Sequence, residues 1–396
     1  MKILANSSGK PLFNTETGKL LRRPDYAAMW YFDYSGAFKW YRDGGRNLKS
    51  CALEWLGTKC AVVGELDGEG VSAEYLTPHG RQVDVYGGLY EGREVRYYGN
   101  NAITIQYDSV GYNSYLRCHA IGASSWSLSW SQTITGSLRF GGIDGSGNIV
   151  VTNGATIYSY TQAGIQSWSW NTQGTPQIAV SSGGDVITGM VYTNLGYHRW
   201  RIYSLDSAGN QNWYYQGSPS TTYYSLYNFA ADSVGNLYFG SSSLYTWKID
   251  NTGSVAWYTG AASSYGPYTF GPLDEVYAVA TTYSGVSWYY GCIEINPSTG
   301  ARVWWDRGLN SALDEIYYNS ALDLIVVARS ANNYGYFIHC CNTSGVTQWG
   351  WLIRNGHTSG GGFSKGISFD IAGSMLVVGT RTPYYDGQVY GMLGVW

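Results

Sequence analysis

A motif of glycine, three residues and tryptophan recurs along the chain and restricts what it can fold into. It stands at Gly36–Trp40, Gly122–Trp126, Gly164–Trp168, Gly209–Trp213, Gly253–Trp257, Gly300–Trp304 and Gly345–Trp349. The last five steps are 42, 45, 44, 47 and 45 residues, and the first gap, 86 residues, is about twice that unit. Halfway across the gap, Gly80-Arg81-Gln82-Val83-Asp84 keeps the glycine and loses the tryptophan, which makes eight copies. A unit of this size cannot bury a hydrophobic face alone and must stack on its neighbours.

A second marker runs in phase with the first: a polar turn residue before an apolar run. It is seen at Lys59 before Cys60–Val63, Asn101 before Ala102–Ile105, Asn148 before Ile149–Val151 and Asp185 before Val186-Ile187. It continues at Asn236 before Leu237–Phe239, Glu275 before Val276–Val279, Asp323 before Leu324–Val327 and Ser374 before Met375–Val378. The unit starting near Thr175 shows the local logic. The pattern predicts strands over Gln177–Val180, Val186–Tyr192, Arg199–Leu205 and Asn210–Tyr215. The turns Ser181–Asp185 and Asp206–Gly209 carry the Gly, Asp and Ser that tight hairpins require. Tyr (38), Trp (17) and Gly (53) are abundant and charged residues are only 13%, which suits many short strands joined by tight turns.

The fold class expected is therefore all-β: a β-propeller of eight four-stranded blades, with seven as the alternative. A tryptophan at a fixed place on the last strand of each blade would bury roughly 150–250 Å² between blades. Trp40, Trp126, Trp168, Trp213, Trp257, Trp304 and Trp349 are the expected blade-packing residues. The glycine before each gives its hairpin a positive φ. At the ends, Met375–Thr380 and Gln388–Val395 lack a Gly-x-x-x-Trp strand, and Ala37–Arg42 lacks a complete blade before it. Joining them would close the ring in a composite blade and remove an exposed sheet edge. Ala27–Asp33 also reads as a strand and competes with Gln388–Val395 for the same place.

These copies resemble the pyrroloquinoline-quinone-type propeller repeat. The resemblance is carried by Asn236–Gly240 with Trp247–Trp257, and most clearly by Ile293–Trp304. It covers about residues 26–396 and implies the fold more than any activity, because such blades serve dehydrogenases, scaffolds and binding proteins alike. In the quinone-dependent dehydrogenases of this fold, adjacent cysteines form a disulfide ring against the cofactor, which draws attention to Cys340-Cys341. Here that pair continues the strand Tyr336–His339 directly before the turn Asn342–Gly345, and buried thiols are the simpler account. No matching calcium ligand set can be assigned.

Residues 1–25 form a separate N-terminal arm, and residues 26–396 the propeller. Ser8-Gly9-Lys10-Pro11-Leu12 is echoed nine residues later by Thr17-Gly18-Lys19-Leu20-Leu21. Such spaced units resemble the N-terminal segments of tailed-bacteriophage virion proteins. Gly9, Lys10, Leu12, Gly18, Lys19 and Leu21 are the residues expected to attach the arm to a capsid or tail partner, a disordered terminus being the bland alternative.

Other classes are set aside on composition and motif. The net charge is −3 and Arg22-Arg23 is the only adjacent basic pair, so nucleic acid is not an expected partner. No apolar run approaches a membrane span, and the N-terminus lacks the apolar core of a signal peptide. Cys51, Cys60, Cys118, Cys292, Cys340 and Cys341 lack zinc-site spacing. His79, His119, His198, His339 and His357 are scattered among different repeats. Asp67–Gly70 and Asp144–Asn148 read as hairpin turns rather than calcium loops, because they lack the ligand count. No nucleophile elbow, phosphate loop or zinc-protease motif is present.

The aromatic runs Tyr214-Tyr215, Tyr223-Tyr224, Trp288–Tyr290, Trp304-Trp305, Tyr317-Tyr318 and Tyr384-Tyr385 have two readings: faces for sugar rings and protein partners, or pairs with one ring packed and one pointing out. The sequence reads as a non-enzymatic structural or adhesion protein of a phage particle, made in the host cytoplasm, with no cofactor or metal. The arm would bind other virion proteins, and the propeller a host-surface glycan or receptor. The alternatives are a quinone-dependent dehydrogenase and a cellular propeller scaffold for protein partners.

Overall fold

The computed structural model describes most of residues 92–350, short stretches excepted, and beyond that span the backbone of the strands alone. Among the described residues the chain forms 33 strands and no helix. They begin with β1 (Ala27–Phe32) and β2 (Phe38–Gly44), then β3 (Ser50–Leu53), β4 (Cys60–Val63), β5 (Val71–Leu76) and β6 (Gln82–Gly87). Next come β7 (Glu91–Tyr98), β8 (Asn101–Asp108), β9 (Asn113–Ile121) and β10 (Trp126–Thr135). The following repeats are β11 (Arg139–Ile143), β12 (Ile149–Thr152), β13 (Thr156–Tyr160) and β14 (Gln166–Asn171), then β15 (Gln177–Val180), β16 (Val186–Asn194), β17 (Tyr197–Leu205) and β18 (Gln211–Gln216). They continue with β19 (Leu226–Ala231), β20 (Leu237–Ser241), β21 (Thr246–Ile249) and β22 (Val255–Thr259), then β23 (Tyr268–Phe270), β24 (Val276–Tyr283), β25 (Trp288–Ile295) and β26 (Arg302–Arg307). The last are β27 (Leu313–Asn319), β28 (Leu324–Ala331), β29 (Gly335–Asn342), β30 (Thr347–Ile353), β31 (Gly366–Phe369), β32 (Met375–Gly379) and β33 (Val389–Met392).

Six consecutive groups of four, from β3–β6 to β23–β26, are meanders in which each strand pairs with its neighbours in sequence. The turn signals read in the sequence place these boundaries. Gln177–Val180 is the strand β15 residue for residue, while β16 and β17 each run two residues further into their connection than the alternation suggests.

The chain ends are arranged differently from the expectation. One sheet has the order β2-β1-β32-β31, with Ala28 opposite Gly379, Trp30 opposite Val377 and Phe32 opposite Met375. The N-terminus therefore supplies two strands to this composite sheet, and Ala27–Phe32 takes the place proposed for Gln388–Val395. With four strands already present, β33 pairs instead with β30, giving the five-stranded order β27-β28-β29-β30-β33.

The chain divides into two compact units, one of residues 1–133, 319–341 and 347–396, the other of residues 134–318 and 342–346. In the first, β3 lies beside both β31 and β7, so the first strands of three sheets are neighbours. In the second, β11, β15, β19 and β23 are neighbours in turn, and the sheets they lead stack face on face. Val150, Ile157 and Trp168 of one sheet close on Val186 and Leu205 of the next. Ala179, Ile187, Trp200, Ile202 and Trp213 close on Leu226, Leu237, Phe239 and Ile249. Tyr238 closes on Tyr268, Val276, Ala278 and Ile293. Strands such as Ile149–Thr152 and Leu237–Ser241 are buried on both faces, which is why they read as continuous apolar runs.

In the first unit, His119 is completely buried and its Nε2 lies 3.2 Å from Thr104 Oγ1. Burial, and then the charge of Arg117, lower its pKa from 6.5 to about 4. The unfolded chain binds this proton below pH 6.5 and the folded chain does not until about pH 4. Stability should therefore fall as pH drops through that window, by up to about 3 kcal/mol at 1.36 kcal/mol per unit. Urea unfolding at pH 7 and pH 4.5 checks this: the fall in midpoint should shrink in His119→Gln.

Candidate functional site

Each antiparallel meander has two ends. Its first and third connections fall at one end, and its second connection, with the link to the next sheet, at the other. The first kind of end is built from short turns with a common chemistry. Asp144 Oδ1 accepts from the backbone N–H of Ser146 (2.9 Å) and Asn148 (2.8 Å), while its Oδ2 accepts from Asn148 Nδ2 (2.9 Å). Asp206 with Ala208 and Asn210, and Asp232 with Val234 and Asn236, repeat this pattern. Asp250 with Thr252 and Ser254 is a close variant, and in the turn before β30 Asn342 takes the aspartate's place. These side chains replace a backbone partner and fix the hairpin. The Asp144–Asn148 carboxylate is thus engaged by its own turn and not turned outward as a calcium ligand. Among the described residues, no three His, Cys, Asp or Glu side chains gather to hold a metal ion.

Turns of successive sheets in the second unit also interlock. Ser233 donates through its backbone N–H and its Oγ to Asp274, at 3.1 and 2.6 Å. A Cβ on Gly145 would stand 2.3 Å from the carbonyl oxygen of Ser182.

The repeated tryptophan and glycine meet across sheets. The ring of Trp168, on β14, lies on Gly209, in the turn between β17 and β18. A Cβ at Gly209 would stand 2.7 Å from Trp168 Cγ. In the same way Trp213 lies on Gly253, Trp257 on Gly300 and Trp304 on Gly345, where a Cβ would come within 3.1, 2.6 and 2.7 Å of the tryptophan. The indole N–H donates to the same turn: Trp168 Nε1 to Ser207 O (2.9 Å), Trp257 Nε1 to Pro297 O (3.0 Å) and Trp304 Nε1 to Thr343 O (2.9 Å). The glycine therefore has two reasons to be glycine. Its φ is positive, +83° at Gly209, and the preceding tryptophan occupies the space of its side chain. The sequence shows the first reason; the second needs the structure, because the two residues belong to consecutive motifs.

In the first unit, Trp126 is buried against His119 at 5.3 Å between ring centroids, and Trp349 stands opposite Cys340 on β29. Trp40 pairs with Tyr31 in the backbone, and its side chain lies outside the described residues. So do the arm residues Gly9, Lys10, Leu12, Gly18, Lys19 and Leu21, together with His79 and His357. Cys340 and Cys341 are both buried free thiols. Cys340 takes the place, opposite the motif tryptophan, that Ser159 takes opposite Trp168 and Ser204 opposite Trp213. These three are small, whereas Lys248 and Glu294 hold the same place opposite Trp257 and Trp304. Burial, and then its neighbour Cys341, push the Cys340 thiol well above its ordinary pKa, which suppresses the reactive thiolate.

The aromatic pairs divide between core and surface. Tyr215 packs on the Trp200 and Phe239 cluster, whereas Tyr214 is 40% exposed. Trp304 lies on Gly345 while Trp305 packs beside Ile293 and Ile295. Tyr318 stacks on buried Tyr277 at 6.1 Å. Trp288–Tyr290, Tyr223-Tyr224 and Tyr384-Tyr385 fall outside the described side chains.

One surface cluster joins several outward rings. On β16–β18, the Arg201 guanidinium lies 3.8 Å above the Tyr192 ring. Tyr203 sits between Tyr214 (4.9 Å) and Trp170 (4.7 Å, edge to face). Tyr214 OH donates to Gln216 Oε1, and Tyr192 OH lies 3.5 Å from the same oxygen. The sequence singles out Tyr214 as half of an aromatic pair and gives no such signal for Arg201, Tyr192 or Trp170. They share a surface only through the cross-strand register, which sets Arg201 opposite Gln216 and Tyr203 opposite Tyr214. A second outward group, Tyr245 and Tyr258, continues inward through Trp247, with Tyr258 and Trp247 stacked at 4.6 Å.

No family model and no curated protein matches the chain. Solved structures do. The chain is similar to Sqt1 from Chaetomium thermophilum, solved with the N-terminus of the ribosomal protein L10, at a TM-score of 0.62 and 12% identity over 89% of this chain and 98% of that one. It is also similar to BamB from Moraxella catarrhalis, at a TM-score of 0.52 and 15% identity over 83% and 95% of the two chains. Both are β-propeller proteins, and the chain is an all-β protein of propeller-type repeats. At these identities the likeness is one of fold.

Gly209→Ala should lower stability by at least about 1–2 kcal/mol from its left-handed backbone alone, and by more because the new Cβ meets Trp168. In a Trp168→Ala background the same change should cost less. Guanidinium unfolding of the four proteins in a double-mutant cycle measures this coupling. Cys340 should resist alkylation by iodoacetamide in the folded protein and react after denaturation, read by intact-mass spectrometry.

Proposed function

We propose that the chain is a non-enzymatic interaction scaffold, a rigid propeller that holds a protein partner. The observation that carries this reading is the contrast between the two ends of the sheets in the second unit. At one end the turns are short and their polar groups satisfy one another. Toward the other lie the outward cluster of Tyr192, Arg201, Tyr214 and Gln216 and, beside tight hairpins of two to four residues, the links between sheets, of which that between β18 and β19 has nine residues. Exposed aromatics beside arginine are the composition of contact surfaces. Sqt1, of the same fold, has been solved bound to a protein N-terminus, which supports the use of such a frame for a peptide partner.

In this reading the eight sheets are eight blades of one ring, the sheet of β31, β32, β1 and β2 is the composite blade, and the motif tryptophans lock successive blades. The virion form of the reading rests on the paired Gly-Lys units of the arm, through which the scaffold would join a particle and meet a host-surface receptor. Density-gradient fractionation of the source material, with mass spectrometry for this chain, separates the two forms: the virion form expects the chain to sediment with particles.

For the scaffold itself, a photoreactive residue in place of Tyr214 should give a specific covalent adduct with a partner that rebinds when purified. One in place of Thr252, in a turn at the other end, should not. Adducts from Thr252 alone would overturn the assignment of the binding end.

A further inference from the structure

The outer strand of the second unit's β15–β18 sheet has a free edge. β18 pairs with β17 on one side and with no strand on the other among the described residues. It reads Gln211-Asn212-Trp213-Tyr214-Tyr215-Gln216, without the charges or prolines that guard exposed edges. Such an edge is a template for another strand. The same chain shows this template in use: β33 adds antiparallel to the outer edge of β30, with Gly350 opposite Met392 and Leu352 opposite Tyr390. It pairs with the residues just past Trp349. The residues just past the corresponding Trp213 are Tyr214, Tyr215 and Gln216.

Other outer strands, β10, β14 and β22, are uncharged too, and β9 and β21 beside two of them carry one cation each, Arg117 and Lys248. The β18 edge differs in having two arginines beside it, Arg199 and Arg201 of β17, two residues apart and on one face. Arg199 Nε is buried with no hydrogen-bond partner. None of the four strands of this sheet contains an acidic residue; Asp185 and Asp206 lie in its turns. The rings around the arginines cover one another, Arg201 on Tyr192 and Tyr203 between Tyr214 and Trp170. That leaves little open ring face for a sugar to stack on. The Arg201 guanidinium hydrogen-bonds Tyr192 and Tyr214, and a guanidinium, with five N–H donors, can take a carboxylate beside such partners.

We propose that the outer edge of β18 takes an extended acidic segment of a partner protein by antiparallel strand addition, its carboxylates on the Arg199 and Arg201 face. This rests on the scaffold reading and gives the partner its chemistry. A residue added opposite Gln216 would stand roughly 10 Å, two strand spacings, from the Arg201 backbone. An arginine and a glutamate together span that distance across Gln216. The arm of this chain is not the occupant: residues 1–25 hold five Lys and Arg against two acidic residues.

The test uses the full chain and a short peptide alternating glutamate and valine, followed by fluorescence anisotropy. Binding should weaken with salt. The Arg199→Glu, Arg201→Glu protein, checked for an unchanged thermal melt, should lose on the order of tenfold or more in affinity and gain affinity for the lysine counterpart of the peptide. Methylating alternate backbone nitrogens of the acidic peptide should abolish binding to the native chain, because the strand can no longer pair. Equal binding by native and charge-reversed proteins, equal binding of the methylated peptide, or no binding at all would each overturn the proposal. If Tyr214 adducts persist in the charge-reversed protein, the scaffold stands and only the acidic strand falls.

Discussion

Packing of the second unit depends on an indole ring resting on a glycine of the next sheet. A four-stranded antiparallel sheet with two apolar faces is not stable alone, so it must be held against neighbours in one register. Trp168 on Gly209, Trp213 on Gly253, Trp257 on Gly300 and Trp304 on Gly345 provide that register. Each contact buries a large aromatic surface, and three of the four also satisfy the indole N–H on a carbonyl of the receiving turn. The turn must then be rigid and open at the glycine. The aspartate and asparagine caps supply the rigidity, and the positive φ supplies the opening. Capping, glycine and tryptophan are thus parts of one joint rather than separate features of the repeat.

The same joint shapes the exposed surface. Successive residues on a strand face opposite ways, so a tryptophan fixed on one face sends the next residue to the other. Tyr214 is outward beside the inward Trp213, and Tyr258 beside Trp257, whereas Trp305 beside Trp304 packs on the other face of its sheet. Where the neighbouring strands also carry outward aromatics or arginine, as at Tyr192, Arg201 and Tyr203, a surface cluster results. Such a cluster needs no loop to build it, which suits a contact surface on a rigid frame.

The residues opposite the tryptophans bear on chemistry as well. Ser159, Ser204 and Cys340 hold equivalent places beside an indole, as Lys248 and Glu294 do opposite Trp257 and Trp304, so Cys340 has a structural place on its strand like the residues of the other repeats. The adjacent cysteines draw attention in the sequence because adjacency is visible there. The slot that one of them fills is visible only when the strands are paired.

The amino-acid sequence by itself determined the strand content, the period of the repeat and the turn chemistry, because these depend on residues within a few positions of one another. Asp206, Gly209 and Trp213 mark a hairpin wherever they occur, and β15 could be read residue for residue from its flanking turns. The resemblance of Ile293–Trp304 to a propeller blade likewise lies within one unit. Tertiary structure decided what depends on residues far apart. It paired Ala27–Phe32 with Met375–Gly379 and sent Val389–Met392 to the edge of β30, a choice between competing strands of similar local pattern. It placed Trp168, Trp213, Trp257 and Trp304 each on a glycine some forty residues later, and it brought Arg201, Tyr192, Tyr214 and Trp170 to one surface. Local propensity fixes a strand, but its neighbour is fixed by which edges remain free and which side chains fill the space between sheets.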